Sequence, residues 1–223
     1  MTTDDRSWSA AANRLGRETT AAEPTRWVER LWSSAEQDEI DAPWDRTEPF
    51  PAIADAMAAL GPGDGRRAVV VGAALGADAE AAARAGWRTT AFDIAPAAVR
   101  LVRQRYPDSH VDYREGDLLH LADDLIGAFD LVIEVFTVQA MPPEVRVEAT
   151  AGIRRLLAPG GTALVIQFER GDEDPAIGPP WLLNREEMET FAGDDVRIES
   201  LDLLKGPRVD RETPIWFAKL RRD

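Results

Sequence analysis

The 223-residue sequence contains no cysteine, which excludes disulfides, thiolate metal sites and a cysteine nucleophile. Histidine is nearly absent. Only His110 and His120 occur, too few for a multi-histidine centre, and no metal is expected. Positive charge is also scarce: Lys and Arg number 26 against 40 Asp and Glu, a formal charge of −14. Nucleic-acid binders need concentrated positive charge on at least one face, so no nucleic-acid partner is expected and a small molecule remains open. No apolar run approaches membrane length, and the opening residues MTTDDRSWSAAANRLGRETT lack a basic stretch followed by an apolar one. Neither a membrane partner nor a secretion signal is expected. The resulting expectation is a cytoplasmic protein, monomer or homodimer, acting on a small-molecule substrate.

What is present is 44% hydrophobic residues, enough for a full core, in a regular order. Residues 1–22 are polar and Thr/Ala-rich, either a mobile segment or a helix that needs a partner surface. Residues 23–64 read as an N-terminal helical cap on a single domain spanning 23–223. Within the cap, RWVERLWSS carries Trp27, Val28, Leu31 and Trp32 at helical spacing, DAPWDRTEPFP is turn-rich, and AIADAMAAL is a second helix ended by GPGDG. Residues 65–169 alternate. AVVVG, RTTAFDI, HVDYREGD, FDLVIEVF and TALVIQFE read as strands. Asp78–Ala85, Pro96–Tyr106 and PPEVRVEATAGIRRLLAPGG read as helices, the last opened by proline and closed by glycine.

Residues 170–223 change rhythm. GDEDPAIGPPWLLN is a loop with a solvated acidic run, and Asn184 with Glu187 forms a capping box. DVRIESLDLL and TPIWFAKLRR, joined by KGPRVDRE, read as an antiparallel edge pair. The fold class is therefore α/β, a Rossmann-like doubly wound, mostly parallel seven-stranded sheet covered on both faces, with that edge pair.

The first strand runs into Gly72-Ala73-Ala74-Leu75-Gly76. This spelling meets neither G-x-G-x-x-G nor the P-loop, so it supports neither a nicotinamide dinucleotide nor a nucleoside triphosphate. Gly72 and Gly76 let the backbone approach a smaller, less anionic ligand. Asp93 ends the second strand about 20 residues on, the spacing at which an acid meets a ribose diol. Its two oxygens can accept both hydroxyl hydrogens. Asp117, in EGDLL after the third strand, is placed to accept from an adenine amine beside the Leu118 backbone. Ribose and adenine without pyrophosphate point to an S-adenosyl compound. Each clue alone has a plainer reading: an ordinary turn, an acid at a helix N-terminus for Asp93, a turn residue for Asp117.

VVVGAALGADAE, WRTTAFDIAPAAVRLVRQRYP, VDYREGDLLHL, FDLVIEVFTVQAMPP and LLAPGGTALVIQ together resemble the class I S-adenosylmethionine-dependent methyltransferases. RWVERLWSS with DAPWDRTEP resembles the N-terminal segment of the thiopurine/thiol methyltransferase group. Where most of that family carries Gly-Cys-Gly, this chain has Gly72-Ala73-Ala74.

The resemblance implies S-adenosyl-L-methionine as cofactor, S-adenosyl-L-homocysteine as product, and methylation of a small molecule, with a thiol favoured. The alternatives are N- or O-methylation of a small natural product, or a non-catalytic protein that binds the cofactor. A thiol is partly ionised near neutral pH and needs little base, whereas an amine or hydroxyl needs one. Cofactor contacts are expected from Trp32, Trp44, Gly72, Ala73, Gly76, Asp93, Ile94, Asp117, Leu118 and Glu134.

The family analogy sets Glu134 beside the methyl group, as general base or as a strand cap. It makes the N-terminal segment and the GPPW loop lids. Trp32, Trp44, Phe136 and Trp181 are candidates for the substrate wall, with Gln139 and Arg170 in reach of a polar substrate group; a solvent-facing position is the alternative for Arg170. Trp27, Trp32 and Trp216 also suit core packing. His110 and His120 suit surface or capping roles.

Overall fold

Alternate residues of the first strand go to opposite faces of a sheet. In β1 (Arg67–Val71), Ala68 and Val70 join one apolar cluster and Val69 and Val71 another, as the two-residue period of a strand requires. The computed structural model describes residues 6–172, 178–205 and 214–223. It sets β1 in one sheet with β2 (Arg88–Asp93), β3 (Asp112–Glu115), β4 (Phe129–Val135), β5 (Leu157–Phe168), β6 (Val196–Leu204) and β7 (Ile215–Arg222). The order is β3-β2-β1-β4-β5-β7-β6. β1 to β5 are parallel, while β7 runs antiparallel to both β5 and β6. This is the doubly wound sheet with an antiparallel edge pair that the alternating pattern predicts.

Seven α-helices surround it among the described residues: α1 (Trp8–Gly16), α2 (Arg26–Glu36), α3 (Pro51–Leu60), α4 (Ala77–Arg84), α5 (Pro96–Arg105), α6 (Arg146–Leu156) and α7 (Arg185–Glu189). Ile53 and Met57 of α3 and Ala79 and Ala82 of α4 cover Val70, Leu131 and Ile133 on one face. Ile153 and Leu156 of α6 and Met188 of α7 cover Val71, Val132 and Val165 on the other. A third cluster joins Leu15, Trp27, Leu31 and Trp32 of the N-terminal helices to Leu75, Ala95, Ala97 and Ala98. Of the two readings of residues 1–22, the helix on a partner surface is the one seen for Trp8–Gly16, which packs its Leu15 into this cluster. None of the helices of the described residues is long and apolar enough to cross a membrane.

The sequence pattern misplaces one boundary. The helix expected to run to Gly161 begins with a 3-10 turn at Pro143–Val145 and ends at Leu156. β5 starts at once: Phe129 pairs with Leu157, then Leu131 pairs with Thr162, so 158–161 form an irregularity within the strand. Gly160, at φ +73°, supplies the left-handed residue it needs. The Asn184 capping box forms as expected, with Glu187 N–H donating to Asn184 Oδ1 and Asn184 N–H to Glu187 Oε2, both at 2.8 Å. Most of the expected acidic loop and of the KGPRVDRE connection lies outside the described residues.

Candidate functional site at the carboxyl edge of the sheet

Strand order reverses at β1, which has β2 on one side and β4 on the other. Open α/β sheets bind ligands outside the carboxyl ends of strands at such a point. The chain leaves β1 through a turn with three left-handed residues, Gly72 (φ +66°), Ala74 (φ +46°) and Gly76 (φ +85°). Two of them must be glycine. A Cβ on Gly72 would lie 2.2 Å from Thr137 Oγ1, and one on Gly76 would lie 2.4 Å from the Tyr113 hydroxyl oxygen.

Asp93 ends β2 beside this turn. Ala74 N–H donates to its Oδ2 and Ala95 N–H to its Oδ1, both at 3.0 Å. Burial pushes its pKa above the usual carboxylate value, and the two N–H bonds pull it back. Each oxygen keeps acceptor capacity for a further donor. Ala73 N–H donates to the Phe92 carbonyl at 3.0 Å, so turn and strand end are locked in register. Asp117 closes its own turn instead of standing free: Oδ1 accepts from Leu119 N–H at 2.9 Å and Oδ2 lies 2.9 Å from His120 Nδ1. The Leu118 side chain enters the core under α6.

Glu134, near the end of β4, is fully buried. Its Oε1 accepts from the N–H groups of Thr137 (2.6 Å) and Val138 (3.0 Å), and its Oε2 accepts from Gln167 Nε2. Burial pushes its pKa up to about 7 against these three bonds. It therefore caps the 3-10 turn Val138–Ala140, and no oxygen points at open space as a general base requires.

Two expected substrate contacts are tied up internally. Gln139 is buried: its N–H donates to Gln167 Oε1 at 3.1 Å, and its Oε1 accepts from Phe168 N–H at 2.7 Å. Arg170 is neither a free polar contact nor solvent-facing, because it pairs at 2.7 Å with Glu187, which Arg146 also binds. Thr137 and Gln167 were missed by sequence reasoning. A glutamine inside the apolar run ALVIQF was the available signal for the second.

The aromatic candidates fall in three separate groups. The Trp44 ring, on a left-handed residue at φ +50°, lies 5.1 Å from Trp8 and 6.2 Å from both Trp27 and Trp32. This group packs with Ala74 and Ile94, so the N-terminal segment covers the turn. Three ion pairs fasten it: Arg46–Asp78 and Arg105–Asp45 at 2.6 Å and Arg100–Glu36 at 2.7 Å. Phe136 stacks on Phe168 at 4.4 Å and meets Phe50 edge-on at 5.6 Å. The Trp181 ring lies under Gly178, and its backbone N–H donates to the Gln139 carbonyl at 2.8 Å. It also lines a hollow of about 660 Å³ together with Gly16, Thr19, Pro142 and Pro143.

The family model described as a methyltransferase domain matches residues 68–161. A ubiquinone biosynthesis O-methyltransferase from Xanthomonas campestris pv. campestris (strain B100) is 36% identical over 109 residues, 48% of this chain and 44% of that protein. A thiopurine S-methyltransferase from Vibrio vulnificus (strain YJ016) is 40% identical over 89 residues, 38% of this chain and 41% of that one. The chain thus matches less than half the length of these curated relatives. Among solved structures, the N-methyltransferase NodS from Bradyrhizobium japonicum WM9, in complex with S-adenosyl-L-homocysteine, superposes with TM-score 0.63 at 20% identity, covering 86% of this chain and 97% of that one. A structure described by the conversion of a disulfide bond into a thioacetal group during echinomycin biosynthesis gives TM-score 0.69 at 21% identity, covering 88% and 93%. The fold is that of the Rossmann-like methyltransferases.

Proposed function

We propose that this chain is an S-adenosylmethionine-dependent methyltransferase acting on a small molecule, with sulfur the favoured acceptor. The observation that carries this reading is the meeting of Asp93 with the Gly72–Gly76 turn at the strand-order reversal. The donor set suits the cofactor. Asp93 offers two oxygens to a diol, and residues 72–76 bring no Lys or Arg of the kind a pyrophosphate would call for. Ile94 and the tryptophan group of the N-terminal segment supply apolar cover. When bound, S-adenosylmethionine supplies a methyl group activated on a sulfonium.

The chain's own part is then alignment and exclusion of water, which together can contribute on the order of 7–11 kcal/mol to such a reaction. An acceptor thiolate needs no base from the protein, and Glu134 has both oxygens bonded internally. The hollow beside Trp181 is the candidate acceptor space; its volume falls in the ordinary range for small-molecule sites. The likeness to a thiopurine S-methyltransferase supports a sulfur acceptor. The likeness to a ubiquinone biosynthesis O-methyltransferase favours a second reading, an oxygen acceptor.

Incubation with S-adenosylmethionine and a panel of thiols, phenols and amines, with products read by mass spectrometry, separates the two. Methylated thiols support the first reading, methylated phenols the second. Cofactor binding with no product across a broad panel leaves a binding protein instead.

A further inference from the structure

Glu134 is surrounded by donors alone. The Thr137 and Val138 N–H groups and the Gln167 amide take both its oxygens. The Gln167 amide cannot turn round freely, because its Oε1 accepts from Gln139 N–H, a group that can only donate. A proton on Glu134 would therefore face donors. Its hydrogen-bond partners favour the charged form, against the burial that raises its pKa.

That charge has no counter-ion. Among the described residues, no Lys, Arg or His pairs with Glu134. The elements against it present only uncharged groups: Val71 of β1, Val165 and Gln167 of β5, and Thr137 and Val138 of the turn. A buried carboxylate without a cation is costly, which makes its position informative. Glu134 pairs in register with Val71, the residue before Gly72. Thr137, which it holds, lies directly over Gly72 and donates through Oγ1 to the Val71 carbonyl at 3.0 Å. One side chain separates the anion from the turn.

We propose that Glu134 is the counter-charge by which this site distinguishes a cationic sulfonium ligand from its neutral thioether product. The inference rests on the methyltransferase reading above. S-adenosylmethionine and S-adenosylhomocysteine share the adenosine and the amino-acid group, and differ by one methyl and one positive charge. Asp93 and the glycine turn treat them alike; an unpaired buried anion does not. Loss of the charge on methyl transfer then weakens the product relative to the incoming substrate and favours exchange.

The test is calorimetric titration of the full chain with each ligand at pH 8, for the wild type and Glu134→Gln. The expected result is a loss of about tenfold in S-adenosylmethionine affinity, with S-adenosylhomocysteine affinity changed less than about twofold. Equal losses for both ligands, or an unchanged ratio, overturn the inference and leave the proposed function standing. Binding of neither ligand by the wild type overturns both. A second measurement uses the wild type alone and does not depend on the variant folding. Titrations at pH 6.5 in two buffers of different ionisation enthalpy read the protons released. S-adenosylmethionine should expel more protons than S-adenosylhomocysteine, because a cation drives the ionisation of Glu134. Equal proton release contradicts the proposal.

Discussion

The backbone N–H of Ala74 donates to Asp93 Oδ2 at 3.0 Å. One bond thus joins the turn after β1 to the end of β2, while the Ala95 N–H, two residues on, occupies the other oxygen locally. Asp93→Ala strands both donors in a buried setting, which costs about 1–3 kcal/mol for each group left unsatisfied. Asp93→Asn keeps one acceptor oxygen and should lose less. Urea denaturation of the three proteins should rank them wild type, Asn, Ala; an Ala variant as stable as the wild type contradicts the geometry.

The N-terminal segment is held by Asp78, whose buried carboxylate accepts from Arg46 Nη2 at 2.6 Å and from Phe50 N–H at 2.8 Å. Asp78→Ala should cost about 1–3 kcal/mol. It should also speed amide hydrogen exchange in α3 and in the residues around Trp44 more than in β4 and β5. Uniform exchange rates across the chain would show that Asp78 does not fasten this segment.

Ala74 and Gly72 make opposite predictions within one turn. Ala74 is left-handed with a side chain, a conformation that costs roughly 1–2 kcal/mol. Ala74→Gly removes that strain against a loss of about 0.5–1 kcal/mol in backbone entropy, so stability should hold or rise slightly. Gly72→Ala drives a Cβ into Thr137 and should cost at least about 2 kcal/mol. Thermal melts of the two variants check the sign of each.

Burial raises the Glu134 carboxyl from its ordinary value near 4.5 to about 7. The folded protein then binds a proton more tightly than the unfolded chain. Its contribution to stability is present in full below about pH 4.5 and is lost as pH rises through 7. Glu134→Gln removes this dependence. The stability of the wild type relative to the variant should fall by about 3 kcal/mol between pH 4.5 and 8. Denaturant midpoints across that range measure it, and a flat difference contradicts the raised value.

The central strands were legible because they are written in apolar runs that reach a glycine or an acid near the carboxyl end: Val71 before Gly72, Phe92 before Asp93, Ile133 before Glu134. The local pairing of Asn184 with Glu187 was equally readable, since a capping box is a matter of four consecutive residues. The start of β5 was not. Glycines after a helix usually end it, and only pairing with Phe129 shows Leu157 to be strand.

The polar site was the least legible part. Gln139 and Arg170 follow strands where substrate contacts are commonly found, yet their partners, Phe168 and Glu187, are set by tertiary folding. Glu134 illustrates the same limit. Its position at the edge could be read from the pattern, but its three donors come from a turn and from a strand more than thirty residues away, and they tie up both oxygens of the carboxyl. Trp44 met Trp8 for a comparable reason: the contact spans an N-terminal helix whose partner surface the sequence alone does not reveal.

The account depends on a nucleoside held at the carboxyl edge by Asp93, and calorimetric titration with S-adenosylmethionine of the wild type beside Asp93→Ala tests this most directly. It predicts saturable one-to-one binding by the wild type and a loss of at least about tenfold in the variant. No heat at millimolar ligand, or equal affinity in the two proteins, would contradict it.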